Sequence, residues 1–333
     1  MPPTSHSTIA WRRVFGKSGG APPVLVARAL WPVVAALAGL ELLHDIGVIR
    51  GGRALFEDWI HEVVLVGAAV LCLAHATAAG RNRSASRAIG AGLACWAAGD
   101  VWWTLLYERD GDPPVPSVAD ALWLAWYPLT ALGFALLIRR GIASFHLHRW
   151  MDGIAVMLIV LTPCVALFLA PAAENSGRGT LASIVVLSYP VLDALVIGGV
   201  LGVYGLLNWH LGRAWLLLGL GCVLMATGDG LFAAQPARAS AVDAGYDFTW
   251  SIGALLIALA IWRAVDVPTT SSESFGWRAI VLPLAAQAIA AAIQVYGLFH
   301  ELGPTERLVT LFVLLVAMVQ IVVSRPRAPT RED

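Results

Sequence analysis

Ten predominantly apolar stretches recur along the chain, at roughly 24–48, 60–79, 88–107, 118–138, 151–171, 183–207, 213–233, 247–264, 278–298 and 306–323. A helix needs about 20 such residues to cross a bilayer, so each stretch is a candidate span. Turn chemistry separates them: Asp112-Pro113-Pro114 precedes the fourth, Pro171 follows the fifth and Gly303-Pro304 precedes the tenth. The pattern predicts an all-α integral membrane protein of about ten transmembrane helices.

Basic residues orient these spans, because lysine and arginine collect on the cytoplasmic side. With the N-terminus inside, sixteen basic residues fall in inner segments, among them Arg12, Arg13, Lys17, Arg81, Arg139, Arg140 and Arg325; six fall outside, Arg50, Arg53, Arg109, Arg178, Arg238 and Arg307. An even number of spans returns the C-terminus to the cytoplasm. The expected topology is N-in and C-in, in a bacterial inner membrane.

Composition agrees. Apolar residues make up 58% of the chain, charged residues 13%, and mean hydropathy is +0.73. Soluble domains carry about 25% charged residues, so this chain lacks the charge to cover a water-facing surface. Its 22 basic and 22 acidic residues balance, which argues against nucleic acid as a partner and leaves the lipid bilayer as the main one. Lys17, the only lysine, lies in the polar N-terminal segment, where it can serve neither a core Schiff base nor, without an upstream glycine-rich loop, a phosphate site. The four cysteines, Cys72, Cys95, Cys164 and Cys222, are scattered singly. Nothing in their spacing suggests zinc or a disulfide framework, and no cofactor is implied.

A weak repeat is the most informative feature. Glu62, Gly99-Asp100 and Asp120-x-x-Trp123 are echoed by Asp193, Gly228-Asp229 and Asp247-x-x-Trp250. The acids are 38 and then 20 residues apart in the first copy, and 36 and then 18 in the second. An even, four-span unit gives two parallel four-helix repeats related by an axis along the membrane normal. The expected organisation is a cytoplasmic tail at 1–23, repeats at 24–139 and 150–264, a linker at 265–277, a C-terminal helix pair at 278–323 and a tail at 324–333.

In that topology Glu62, Asp100, Asp120, Asp229 and Asp247 lie in the outer half of the membrane and Asp193 sits deeper, joined by Glu41, His44, Asp45 and His61. A carboxylate facing lipid near mid-bilayer costs roughly 2.5–3.5 kcal/mol, so these acids are expected to face an interior pocket. Aromatic residues follow them at helical spacing. Trp96, Asp100, Trp103 and Tyr107 share one face, as do Asp120, Trp123 and Tyr127; Tyr189 pairs with Asp193, and Asp247 with Trp250. Indole faces beside carboxylates suit a small cationic or aromatic ligand. Against this stand blander roles: Trp and Tyr collect at membrane interfaces, and Asp120 and Asp247 sit where a carboxylate caps a helix. His44, Asp45, His61 and Glu62 form a metal site only if the first two spans bring them together, and His61-Glu62 lacks the second histidine of a zincin. No catalytic triad or other enzyme motif is visible.

The series Gly99-Asp100-Val101-Trp102-Trp103, Pro116-Ser117-Val118-Ala119-Asp120, Tyr127-Pro128, Tyr189-Pro190-Val191-Leu192-Asp193 and Gly228-Asp229 resembles the N-terminal multi-pass membrane region of actinobacterial GGDEF/EAL signalling proteins. The resemblance covers roughly residues 25–320 and implies a sensory or anchoring module. Ten residues follow Val323 and no GGDEF or EAL sequence occurs, so cyclase activity is not implied and a signal is expected to leave through a cytoplasmic or membrane output protein. The resulting expectation is a non-enzymatic sensory protein binding protons or a small cationic or aromatic ligand. A proton-coupled transporter and a non-catalytic scaffold subunit are the alternatives.

Overall fold

In the computed structural model the described residues are 22–78, 82–107, 114–139, 180–206, 212–234, 245–263 and Ala288. They form seven α-helices and no strand: α1 (Pro22–Asp45), α2 (His61–Ala78), α3 (Arg83–Leu106), α4 (Val118–Ile138), α5 (Thr180–Leu206), α6 (Arg213–Ala234) and α7 (Phe248–Trp262). The expected spans at 151–171, 278–298 and 306–323 lie outside the described residues, as do the linker at 265–277 and the tail at 324–333.

Six helical stretches are long and apolar enough to cross a membrane; α7, with 15 residues, is apolar but shorter. This is consistent with a multi-pass membrane protein. The outward faces carry large apolar side chains such as Leu25, Val33, Leu105, Leu181 and Phe232. Such surfaces are stable against lipid tails and costly against water.

The second span departs from expectation. It begins at Ala54 rather than near residue 60, because a π-helical turn (Ala54–Ile60) runs directly into α2. The His61 N–H bonds to the Phe56 carbonyl, five residues back. Before it, Gly51 and Gly52 both adopt positive φ, a conformation that costs other residues a Cβ clash, and this lets the chain double back from α1 within a few residues.

Packing follows chain order around a ring. From α2 each helix packs on the next, and α7 returns to pack on α2, while α1 lies outside in the groove between α2 and α7. Glycines set the closest approaches. A Cβ on Gly221 would lie 2.7 Å from the Gly253 carbonyl oxygen, and one on Gly92 would lie 2.9 Å from the Trp126 ring. Small residues permit such contact where no hydrophobic force drives helices together.

Cross-helix hydrogen bonds reveal direction. Tyr189 of α5 reaches Asp120 near the start of α4, and Tyr127, two turns further along α4, reaches Asp193, one turn further along α5. Likewise Ser251 meets His61 and, eleven residues on, Trp262 Nε1 donates to the Leu71 carbonyl at 2.8 Å. The α4–α5 and α7–α2 seams are therefore both parallel.

Candidate functional site

The acids converge on the inside of the ring in two linked groups. The first is built from α4, α5, α6 and α7. The Tyr127 hydroxyl lies 2.9 Å from Asp193 Oδ1 and 3.1 Å from Asp229 Oδ2, so one oxygen holds the two carboxyl groups side by side. Trp250 Nε1–H donates to Asp229 Oδ1 at 2.8 Å. In α3 and α4 the same bond recurs: Trp123 Nε1–H donates to Asp100 Oδ1 at 3.0 Å. In both places a glycine precedes the aspartate and the indole lies against it. A Cβ on Gly99 would sit 2.7 Å from Trp123 Nε1, and one on Gly228 would sit 2.6 Å from Trp250 Nε1. The Gly-Asp dipeptide thus supplies both the acceptor and the room for its donor.

The second group joins α1, α2 and α7. His61 Nδ1 lies 2.7 Å from Glu41 Oε1, and Ser251 Oγ lies 2.9 Å from that oxygen and 3.1 Å from the same Nδ1. Glu41 is 1% exposed. Serine and glutamate share one ring nitrogen here, whereas a hydrolytic relay needs them on opposite nitrogens. The geometry is that of a clasp between three helices. Beside it, Thr104 Oγ1 donates to Glu62 Oε1 at 2.8 Å, and Asp100 lies within Coulombic reach of His61, Glu62 and Asp229. The outer oxygens of this group are not all satisfied: Glu41 Oε2, Glu62 Oε2 and Asp100 Oδ2 are buried without a hydrogen-bond donor among the described residues.

Asp120 combines both roles weighed for it. It closes a capping box with Ser117, accepting from the Ser117 N–H at 2.7 Å and the Ser117 hydroxyl at 2.8 Å, while its other oxygen accepts from Tyr189 at 2.9 Å. Asp247 makes no side-chain cap on α7. That cap comes from Asp45 at the end of α1, whose Oδ2 accepts the Phe248 N–H at 2.9 Å.

Trp103 and Tyr107 sit one step away from the carboxylates, with Trp103 edge-on to Tyr107 at a centroid distance of 5.8 Å and tilted against Trp123 at 5.7 Å. The indoles nearest the acids do not present their faces to them: Trp123 and Trp250 present their N–H edges. An edge donor satisfies a carboxylate itself, so these contacts are not the cation-attracting arrangement that spacing alone suggested. The four candidate metal ligands fall into different contacts. His61 pairs with Glu41 and Glu62 with Thr104, while His44 stacks on Phe56 at 4.4 Å and keeps its Nδ1 3.4 Å from Asp45 Oδ1. Among the described residues no group of three or more His, Cys, Asp or Glu could hold a metal ion.

Ser251 and Thr104 belong to the site although nothing in sequence singled them out. Thr104 follows Asp100 by one helical turn, which was a usable signal; Ser251 carries none, being brought to His61 from 190 residues away. A cavity of about 550 Å³ opens elsewhere, on the outer face of α2 and α3, walled by apolar residues including Ala69, Leu73, Ala97 and Trp102. It does not touch the carboxyl groups. No protein-family model, curated protein or solved structure matches the chain.

Proposed function

We propose that this is a multi-pass inner-membrane protein of sensory type, whose buried carboxyl layer binds protons and converts their gain or loss into altered helix packing that a partner protein reads. The observation that carries this reading is the Tyr127 hydroxyl held by Asp193 and Asp229 together. Two carboxyl groups gathered on one hydroxyl repel strongly unless they share one proton. Around them, Asp100, Glu62 and Glu41 each keep a buried oxygen without a donor among the described residues. An unpaired buried acceptor costs about 1–3 kcal/mol, a cost that taking up a proton reduces. Among the ligands considered, the proton suits a layer this closely packed better than a bulkier cationic or aromatic molecule.

The resemblance of the Gly99-Asp100 to Gly228-Asp229 series to the membrane region of GGDEF/EAL signalling proteins supports a sensory role with output through a cytoplasmic or membrane partner. The matched Gly-Asp and indole pairs support a duplicated origin for the two halves. Parallel running of α4 and α5 supports two halves that point the same way through the membrane. The same two parallel seams favour a second reading, a proton-coupled transporter built from parallel repeats.

The test is a pH titration of the carboxylic acid infrared band in protein reconstituted into lipid nanodiscs. A protonated-carboxyl band that titrates with pH, and is lost in Asp193→Asn and Asp229→Asn, is expected; its absence at every pH refutes the reading. Proton flux into proteoliposomes separates the two functions, since only the transporter moves protons across a sealed membrane.

A further inference from the structure

α1 stands outside the six-helix ring, and polar contacts fasten its outer end. Glu41 reaches His61 of α2 and Ser251 of α7 at 2.7 and 2.9 Å. One turn on, Asp45 caps α7 through the Phe248 N–H, and its carbonyl lies so near Gly245 that a Cβ there would approach to 2.7 Å. Below these contacts Val24, Ala27, Trp31, Val34 and Ala38 are buried along α1. Lipid tails are as apolar as such side chains, so hydrophobicity gives little preference for the docked helix. The outer polar contacts decide whether α1 stays.

That fastening meets the carboxyl pair through the Trp250 side chain. The Trp250 ring stands edge-on to His61, with centroids 6.1 Å apart, while its N–H donates to Asp229. Ser251, the next residue, holds Glu41. The charged groups facing His61 are Glu41 from α1, Glu62 from its own helix, Asp100 from α3 and Asp247 from the start of α7. When Asp193 and Asp229 lose their shared proton, Tyr127 can donate to only one of two charged carboxylates. Asp229 then withdraws, Trp250 follows its acceptor, and the contacts of His61 and Ser251 with Glu41 loosen.

We infer that α1 is the output helix of the carboxyl pair, docked while Trp250 bridges Asp229 to the Glu41–His61–Ser251 clasp and released when that bridge opens. This rests on the proton-binding reading above. The experiment is hydrogen–deuterium exchange of the full chain in nanodiscs, expressed as protection factors over residues 39–52, alongside the infrared band. In the wild type, protection should fall about tenfold as the pair loses its proton, the change expected from losing one charge-assisted hydrogen bond. Asp229→Asn should hold protection high at all pH values. Trp250→Phe should leave the carboxyl band titrating but abolish the pH response of α1, and Glu41→Gln should give low protection throughout. Protection that follows pH normally in Trp250→Phe overturns the inference, as does flat wild-type protection while the band titrates. A band that never titrates overturns the proton-binding reading and this inference with it.

Discussion

Replacing Tyr127 by phenylalanine removes one oxygen from the centre of the network and leaves the ring packing in place. That oxygen bonds Asp193 and Asp229 at 2.9 and 3.1 Å, and the residue is 3% exposed. A hydrogen bond to a charged group contributes about 1.5–3 kcal/mol, and a buried acceptor stripped of its donor loses a similar amount. One O–H donates to one carboxyl at a time, so the two bonds do not add, and a loss of about 2–4 kcal/mol is expected. Tyr189→Phe is the control. Its hydroxyl lies 2.9 Å from Asp120, but Asp120 keeps two donors from Ser117, so about 1 kcal/mol is expected. Equilibrium unfolding in mixed detergent micelles, followed by tryptophan fluorescence, measures both. Adding Asp229→Asn to Tyr127→Phe should cost less than the sum of the single changes by about 0.5–3 kcal/mol, because the two share an interaction. Equal losses for the two tyrosines, or a neutral Tyr127→Phe, would show that Tyr127 does not hold the pair together.

Three further outcomes follow from packing and capping. Gly99→Ala and Gly228→Ala drive a methyl group into Trp123 and Trp250, and each should destabilise by about 1–3 kcal/mol with a shifted tryptophan emission, whereas Gly39→Ala, with nothing within 4 Å, should be neutral or slightly stabilising in the same unfolding assay. Ser117→Ala removes the α4 capping box and should cost about 1 kcal/mol while raising amide exchange over residues 118–121. Trp262→Phe deletes the 2.8 Å bond to the Leu71 carbonyl and should lower stability by about 1 kcal/mol, read by thermal denaturation in nanodiscs.

Much of this arrangement was legible in the chain because it depends on local spacing. The apolar runs mark the described helices, and the parallel placement of Gly99-Asp100 with Trp123 and of Gly228-Asp229 with Trp250 anticipates two like hydrogen bonds. Asp120 reads as a carboxylate at a helix start, and the structure makes it half of a capping box with Ser117. What stayed hidden is set by tertiary contact. Glu41, His61 and Ser251 come from three helices, and no periodicity relates them. Glu57-Asp58 interrupt the apolar π-helical turn ahead of His61, so the second span reads shorter than it is. Asp247 has the position of a helix cap, yet Asp45 from another helix supplies that bond. The indoles misled for a different reason: spacing puts a ring beside a carboxylate but leaves open which part of the ring faces it.

The account depends most on the carboxyl groups being the acceptors of the two indole N–H donors and changing charge where they lie. The indole N–H spectrum of protein labelled with heavy nitrogen at tryptophan, recorded in nanodiscs across a pH series, tests this directly. Of the chain's 14 tryptophans, Trp123 and Trp250 should show the largest pH-dependent shifts, the first abolished by Asp100→Asn and the second by Asp229→Asn. Two resonances that stay fixed across the series, or a shift shared equally by every indole, would contradict it.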